Sequence, residues 1–394
     1  LSNRTTTLLL VGLRLLVLNL TYFFLPLYLR DLGITGWANG LLLAMFAVTA
    51  FLSAFQTGLF TDRYPIRFLA AAGFLLMAGF ELAVTRTAAV PLLVVVFLIG
   101  GLGNTLLEIS LSAYVLKTVD DGGPGRWFGA YYLTQGLTIG GGILAGGQLV
   151  GRGGYRIAFH VAAAAFLVAA LVALRLADTG RIRARLAEYV SHLAARDALW
   201  ITVSFFLLSL HWGAEMTSVA PFLRDDLALD PVRTGYYMGS ALLGLAGAAY
   251  LAGRAFDAGV GLSRLALAGL LLSGFGHVLM TVPWAPASWA VRFLHEAGDG
   301  ISGVVLFLLL TRVFPRERIG GLASFVATAT IVGRLLGTLV FAPLGDAFGY
   351  RWPLIVSGLL TALAVVPLWR VLGPGASFHA LPAVAPRVRI SSNP

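Results

Sequence analysis

The sequence contains no cysteine. Disulfides, thiolate metal ligands and a cysteine nucleophile are therefore excluded. Lysine is almost missing as well: of 28 basic residues, only Lys117 is a lysine. Charge of either sign is scarce. Charged residues make up 12% of the 394-residue chain, against about 25% in a soluble domain. That scarcity excludes a surface that faces water throughout. What fills the chain instead is apolar, at 58%. The stretches 92–102 and 159–174 contain no Asp, Glu, Lys or Arg. With their flanks they reach the ~20 residues that cross a hydrocarbon core as a helix. Only helices and closed barrels satisfy their backbone groups there. The apolar runs are continuous and do not alternate, which excludes barrel strands.

The expected fold is therefore an all-α integral membrane protein. Apolar runs and loop punctuation predict twelve transmembrane helices. They cover about 6–29, 36–59, 66–85, 91–116, 127–150, 155–176, 198–222, 233–255, 263–283, 287–312, 319–343 and 352–372. Residues 1–5 are mostly polar and the run after them is long enough to be the first span, so no cleavable signal pattern is expected. The segment 177–197 reads as a polar linker carrying a surface helix. The Pro- and Ser-containing stretch 373–394 reads as a disordered tail. The net charge of +10 would suggest nucleic acid in a soluble protein. Here the basic residues lie in short loops, where topology and lipid headgroups explain them, and no nucleic-acid partner is expected. Eighteen basic residues fall on the side shared by both termini, seven on the other and three inside spans. That bias places both termini in the cytoplasm, with the chain multi-pass in a cell membrane, most simply a bacterial inner membrane.

The chain also repeats itself. Pro26 and Pro221, Asp62 and Asp257, and Tyr155 and Tyr350 are each 195 positions apart in matching surroundings. Gly154-Tyr155-Arg156 opens the sixth span and Gly349-Tyr350-Arg351 the twelfth. A constant offset implies two pseudo-symmetric six-helix bundles, 1–176 and 198–372. Such parallel repeats suit a transporter with its solute site between the halves.

Between the second and third spans lies Gly58-Leu59-Phe60-Thr61-Asp62-Arg63-Tyr64-Pro65-Ile66-Arg67. It resembles the loop signature of the major facilitator superfamily, Gly-x-x-x-Asp-Arg-x-Gly-Arg-Arg/Lys. Gly58, Asp62, Arg63 and Arg67 match; Pro65 and Ile66 depart. A weaker copy, Gly253 to Asp257, recurs in the second half. The resemblance covers essentially the whole chain. It implies a secondary transporter that moves a small solute by alternating access. It also implies a cytoplasmic gate at this loop, with the Asp near a helix N-terminus and Arg pairing across. Ordinary positive-inside charge around a turn is the alternative explanation of the same residues, and the repeat favours the gate. Gly142 to Gly147 is similar to an antiporter motif, with Ile143 in place of its proline. The fourth span keeps the glycines of the drug–proton antiporter pattern at Gly101 and Gly103 but lacks its arginine.

Ionisable residues inside spans are costly and usually functional. On the tenth span Arg292, His295, Glu296 and Asp299 fall at about 0°, 300°, 40° and 340° around the helix, one face. Arg292 can pair with Glu296 and with His295. With Glu215 on the seventh span, these are the proton-coupling candidates, Glu296 first; a static ion network is the alternative. The candidates for solute binding are Arg14, Asn19, Tyr22, Asn104, Glu108, Gln135, His211, Trp212 and Arg334. Arg14 and Glu108 are natural partners, either across the first half or as a structural pair near the membrane edge. Trp212 either stacks on solute or packs structurally. Arg334 lies deep and is expected to reach a carboxylate of the second half. Glu81 reads as structural. His160 and His277 sit alone in their spans and are expected to satisfy local partners. His295-Glu296-x-x-Asp299 lacks the second histidine of a zinc helix, and no other metal spacing is visible. No resident metal, cofactor or enzymatic activity is expected. The expected partners are a small solute, protons and membrane lipids, with the chain a monomer. Rival readings are a lipid, amphiphile or drug exporter, a metal-ion carrier, or a membrane sensor on the same frame.

Overall fold

The computed structural model describes residues 2–34, 36–119, 123–180, 186–229 and 231–373. The expectation of a disordered tail falls on 374–394, outside the described residues. Among the described residues there are helices and no strands. Without water to hold backbone N–H and C=O groups, long apolar segments close their own ladders. The helices are α1 (Asn3–Thr21), α2 (Leu25–Asp31), α3 (Gly36–Arg63), α4 (Ile66–Ala83), α5 (Val90–Lys117), α6 (Pro124–Ala173), α7 (Leu186–Leu193) and α8 (Arg196–Pro221). Then follow α9 (Pro231–Asp257), α10 (Leu262–Leu279), α11 (Ala285–Val313), α12 (Ile319–Phe348), α13 (Arg351–Leu363) and α14 (Val365–Leu372).

Ten helical segments among the described residues are long and apolar enough to cross a membrane. One of them, α6, has 50 residues, about 75 Å at 1.5 Å per residue, more than twice a hydrocarbon core. It bends at Gly154, whose φ of 74° and ψ of 170° are non-helical. Gly349, at φ 94°, makes the matching turn before α13. A side chain would be strained at both positions, which explains a glycine there in each half. Glycine- and alanine-rich α9 has 27 residues but is not among the ten apolar segments.

The packing follows the 195-residue offset. α1 packs on α6 as α8 packs on α12, and α3 on α5 as α9 on α11. α4 lies on α5 and α6 much as α10 lies on α11 and α13. Two further pairings join early helices to late ones: α3 with α12, and α6 with α9. Large apolar side chains such as Leu52, Leu171, Leu251 and Leu339 are exposed along the outer faces, as a lipid-facing surface requires.

Candidate functional site

The tenth-span residues lie on α11 and turn inward as their spacing demands. Arg292, His295 and Glu296 are buried, and only 7% of the Asp299 side chain is exposed. Arg292 Nη2 donates to Glu296 Oε1 at 2.6 Å, the expected one-turn pair. Its Nη1 donates to Glu215 Oε1 on α8. The expected Arg292–His295 pairing is replaced. His295 Nε2 lies 3.0 Å from Glu215 Oε1, and its Nδ1 lies 2.7 Å from the Ser273 carbonyl on α10. Asp299 gathers three partners: Ser273 Oγ at 2.5 Å, Trp212 Nε1 at 2.8 Å and His211 Nε2 at 3.1 Å. Trp212 thus spends its indole N–H on a carboxylate. His211 Nδ1 contacts the Leu208 carbonyl one turn below.

His277 corrects the sequence expectation. It does not stand alone: its ring stacks on His295 with centroids 4.8 Å apart and meets His211 at 5.4 Å. Its Nδ1 lies 3.2 Å from Ser357 Oγ of α13, and its Nε2 lies 3.8 Å from Glu215 Oε1. The available signal was Ser273 and His277, four residues apart on one face of α10. His160 is exposed. Glu81 is buried and accepts from Thr21 Oγ1 at 2.9 Å.

The first half holds a smaller network. Arg14 Nη2 on α1 donates to Glu108 Oε2 at 2.9 Å and Asn104 Oδ1 at 3.0 Å, both on α5. Glu108 keeps 51% of its side chain exposed, while Arg14 keeps 8%. Ser112, one turn on, shares a 3.0 Å hydrogen bond with the Tyr131 hydroxyl. Asn19 turns back to donate to its own helix at Leu15 O, 2.8 Å away. Tyr22 packs edge-on against Phe46, and Gln135 is half-buried. Arg334 departs from expectation: it is exposed on α12 and reaches no carboxylate among the described ion pairs. α12 meets α8 at small residues: a Cβ on Gly333 would lie 2.1 Å from Ser209 Oγ, and one on Gly337 2.2 Å from the Leu210 carbonyl.

The loop motif builds a contact between early and late helices. Asp62 ends α3 and caps α12: Gly320 N–H donates to Oδ1 at 3.1 Å and Gly321 N–H to Oδ2 at 2.8 Å. A carboxylate there satisfies orphan amides and complements the helix dipole. The buried cation on Asp62 is Lys117 rather than an arginine of the motif. Its Nζ lies 2.8 Å from Asp62 Oδ1 and donates to Thr61 O at 2.7 Å. Arg63 is exposed, and Arg67 lies over the Phe68 ring. Lysine supplies a compact point charge here that meets the carboxylate and the Thr61 carbonyl together. The Tyr189 hydroxyl of α7 donates to Asp62 Oδ2 at 3.0 Å. Burial, then the Asp62 charge, pushes the Tyr189 phenol well above its ordinary range. Beside it, Glu188 pairs with Arg318.

The second motif copy works the same way in the opposite sense. Asp257 ends α9 and caps α6, accepting from Gly125 N–H at 2.9 Å and Arg126 N–H at 2.8 Å. Gly125 and Gly320 are again 195 apart. Glycine is required where the helices touch. A Cβ on Gly58 would lie 1.9 Å from Ser324 Oγ, and one on Gly253 2.0 Å from the Gly125 carbonyl.

No curated protein matches the sequence. Among solved structures, the human organic anion transporter MFSD10 (TETRAN) superposes with a TM-score of 0.77 at 17% identity, covering 93% of this chain and 98% of that one. A bacterial homologue of the iron transporter ferroportin, in an outward-facing state, gives 0.77 at 16% identity, covering 94% and 99%. These likenesses concern the fold. The sequence model of the Major Facilitator Superfamily matches residues 7–259 and 201–390, and the chain belongs to that superfamily of membrane transporters.

Proposed function

We propose that this chain is a proton-coupled secondary transporter that moves a small solute by alternating access. In this reading it crosses a bacterial inner membrane twelve times as a monomer, with both termini cytoplasmic. Residues 1–176 rock against 198–372, and 177–197 ties the halves together. In this reading the two aspartate caps close the cytoplasmic face. Opening inward breaks both caps. The reading gains support from their symmetry, since each aspartate holds a helix of the opposite half.

The observation that carries proton coupling is the buried cluster on α8, α10 and α11. It sets three carboxylates, Glu215, Glu296 and Asp299, against one guanidinium, Arg292, with imidazoles between them. Low dielectric makes each added or removed proton change the local balance strongly. Glu296 is the first choice for the carrier. Asp299 and Glu215 come next, and Arg292 sets their charge balance. Arg14, Asn104 and Glu108 offer the solute a polar counter-surface in the first half. One structural neighbour is described as an organic anion transporter and another as a homologue of an iron transporter, so the fold is compatible with unlike cargoes.

A thermal-shift screen of the purified chain against sugars, organic acids, amphiphiles and divalent metals would find the solute class. Glu296→Gln protein should then keep the ligand-induced shift. In proteoliposomes it should lose accumulation driven by a pH gradient. Unchanged accumulation would remove Glu296 from the mechanism.

A further inference from the structure

His211 and His295 in the buried cluster point both ring nitrogens at acceptors, which calls for either a second ring proton or a metal cation at Nε2. His211 Nδ1 faces the Leu208 carbonyl and His295 Nδ1 faces the Ser273 carbonyl. A carbonyl only accepts, so both Nδ1 atoms carry hydrogen. In a neutral imidazole the other nitrogen then holds a lone pair. Yet His211 Nε2 lies 3.1 Å from Asp299 Oδ2, and His295 Nε2 lies 3.0 Å from Glu215 Oε1. A lone pair facing a carboxylate oxygen is repulsive, so either a second ring proton or a metal cation lies between them. His277 adds a third case: its Nε2 is fully buried and has no hydrogen-bond partner. An orphaned buried polar atom calls for a missing partner, water or ion.

The electrostatics ask for the same thing. With neutral imidazoles, Arg292 faces three carboxylates, leaving a charge of −2 in a water-poor site. One divalent ion cancels it, as a second proton on each of His211 and His295 also would. Ligand atoms of His211, His295 and Asp299 all lie within 4.8 Å of one another. Donors around a tetrahedral ion lie roughly 3.3–3.6 Å apart, given metal–ligand bonds of about 2.0–2.2 Å. Rotations that close the group by roughly an ångström would complete it. Their Nδ1–H groups are already fixed on backbone carbonyls, and Asp299 is held by Trp212 and Ser273. Such outer contacts orient metal-binding side chains.

We infer that His211, His295 and Asp299, with Glu215 and His277 at their edge, form a binding site for a divalent first-row transition-metal ion, and that this ion is the cargo. Imidazole nitrogen with carboxylate oxygen favours ions such as Zn(II), Fe(II), Co(II) or Mn(II) over Ca(II) and Mg(II). The lack of cysteine argues against a soft Cu(I) site. The inference rests on the transport reading above, but on the cluster's donor geometry rather than on proton transfer.

The test uses the full chain purified in detergent and titrated with Co(II). Visible d–d bands should grow to one equivalent and be displaced by Zn(II). They should vanish in His211→Gln and in Asp299→Asn. Trp212→Phe, which frees only the outer contact to Asp299, should weaken affinity about 10–100-fold. X-ray absorption of Zn(II)-loaded wild-type protein should show at least two imidazoles, a result that needs no variant to fold. In proteoliposomes holding a metal-sensitive dye, Co(II) should enter through wild-type protein and not through Asp299→Asn. Absence of d–d bands, or bands unchanged in both ligand variants, would overturn the site. Binding without entry would overturn the ion as cargo. Glu296→Gln separates the two readings: it should still bind Co(II) and admit it downhill while losing uphill accumulation. If accumulation survives there, the proton reading fails and the metal site stands.

Discussion

The two halves share a frame and differ in what they bury on it. In the second half, α11 presents His295 and Glu296 to the cluster. Counting back 195 positions reaches Gly100 and Gly101 on α5. A Cβ on Gly100 would lie 2.6 Å from the Phe80 ring, and one on Gly101 2.9 Å from Thr49. The first half uses that face for close helix packing, and the second uses it to hold charge. Of the first half's ion pairs, Arg14–Glu108 keeps its carboxylate half in the open, while Lys117–Asp62 at the loop motif is closed. One bundle is thus a tight scaffold with a wet pair and a single buried pair at its loop, and the other encloses a dense ionic core. The lesson is that a repeated backbone path does not carry a repeated chemistry.

The sharpest way to break this comparison is to remove one cation from each half. Arg292→Met leaves Glu215 and Glu296 buried without their guanidinium and should cost about 3–5 kcal/mol. Arg14→Met exposes a carboxylate that water already reaches and should cost about 1 kcal/mol or less. Thermal unfolding in detergent reads both; equal losses would end the claim that the halves differ.

The aspartate caps invert the asymmetry. Asp62→Asn strands buried Lys117 and should also cost about 3–5 kcal/mol. Asp257→Asn faces Arg126, whose side chain is 63% exposed, and should cost about 1 kcal/mol. Distances between spin labels at the C-terminal end of α3 and the N-terminal end of α12 should widen more in the first variant than those between the N-terminal end of α6 and the C-terminal end of α9 in the second.

Glycine contacts should give a middling, symmetric effect. Gly58→Ala and Gly253→Ala each force a methyl into the opposing helix, and overpacking of this kind costs about 1–3 kcal/mol. Both should shift the labelled ends apart; a shift in only one would show that one cap carries the closure.

The smallest effect concerns alkaline pH. The Tyr189 phenol is held above its ordinary value of 10.0. Its neutral form therefore contributes stability that is complete below pH 10 and declines as pH rises beyond it. Melting temperature should fall between about pH 10 and 11 more steeply in wild type than in Tyr189→Phe. Matching slopes would detach the linker helix from the cap.

Much of this protein was legible in one dimension. Hydropathy marked the helices because each must satisfy its own backbone in lipid, a local requirement. The 195-residue offset announced matched turns at Gly154 and Gly349 and matched caps at Asp62 and Asp257. The angular spacing of Arg292, His295, Glu296 and Asp299 put them on one face, because helical geometry fixes direction within a helix. Contacts between helices were not legible in this way. Lys117 meets Asp62, His277 joins His295, and Arg334 is left exposed only through the depth and rotation at which each helix packs. Those are set by side-chain interlocking across the bundle, and no spacing within one helix encodes them. The sequence therefore determined the frame and one wall of the site. The tertiary structure decided which imidazoles and carboxylates face one another inside it.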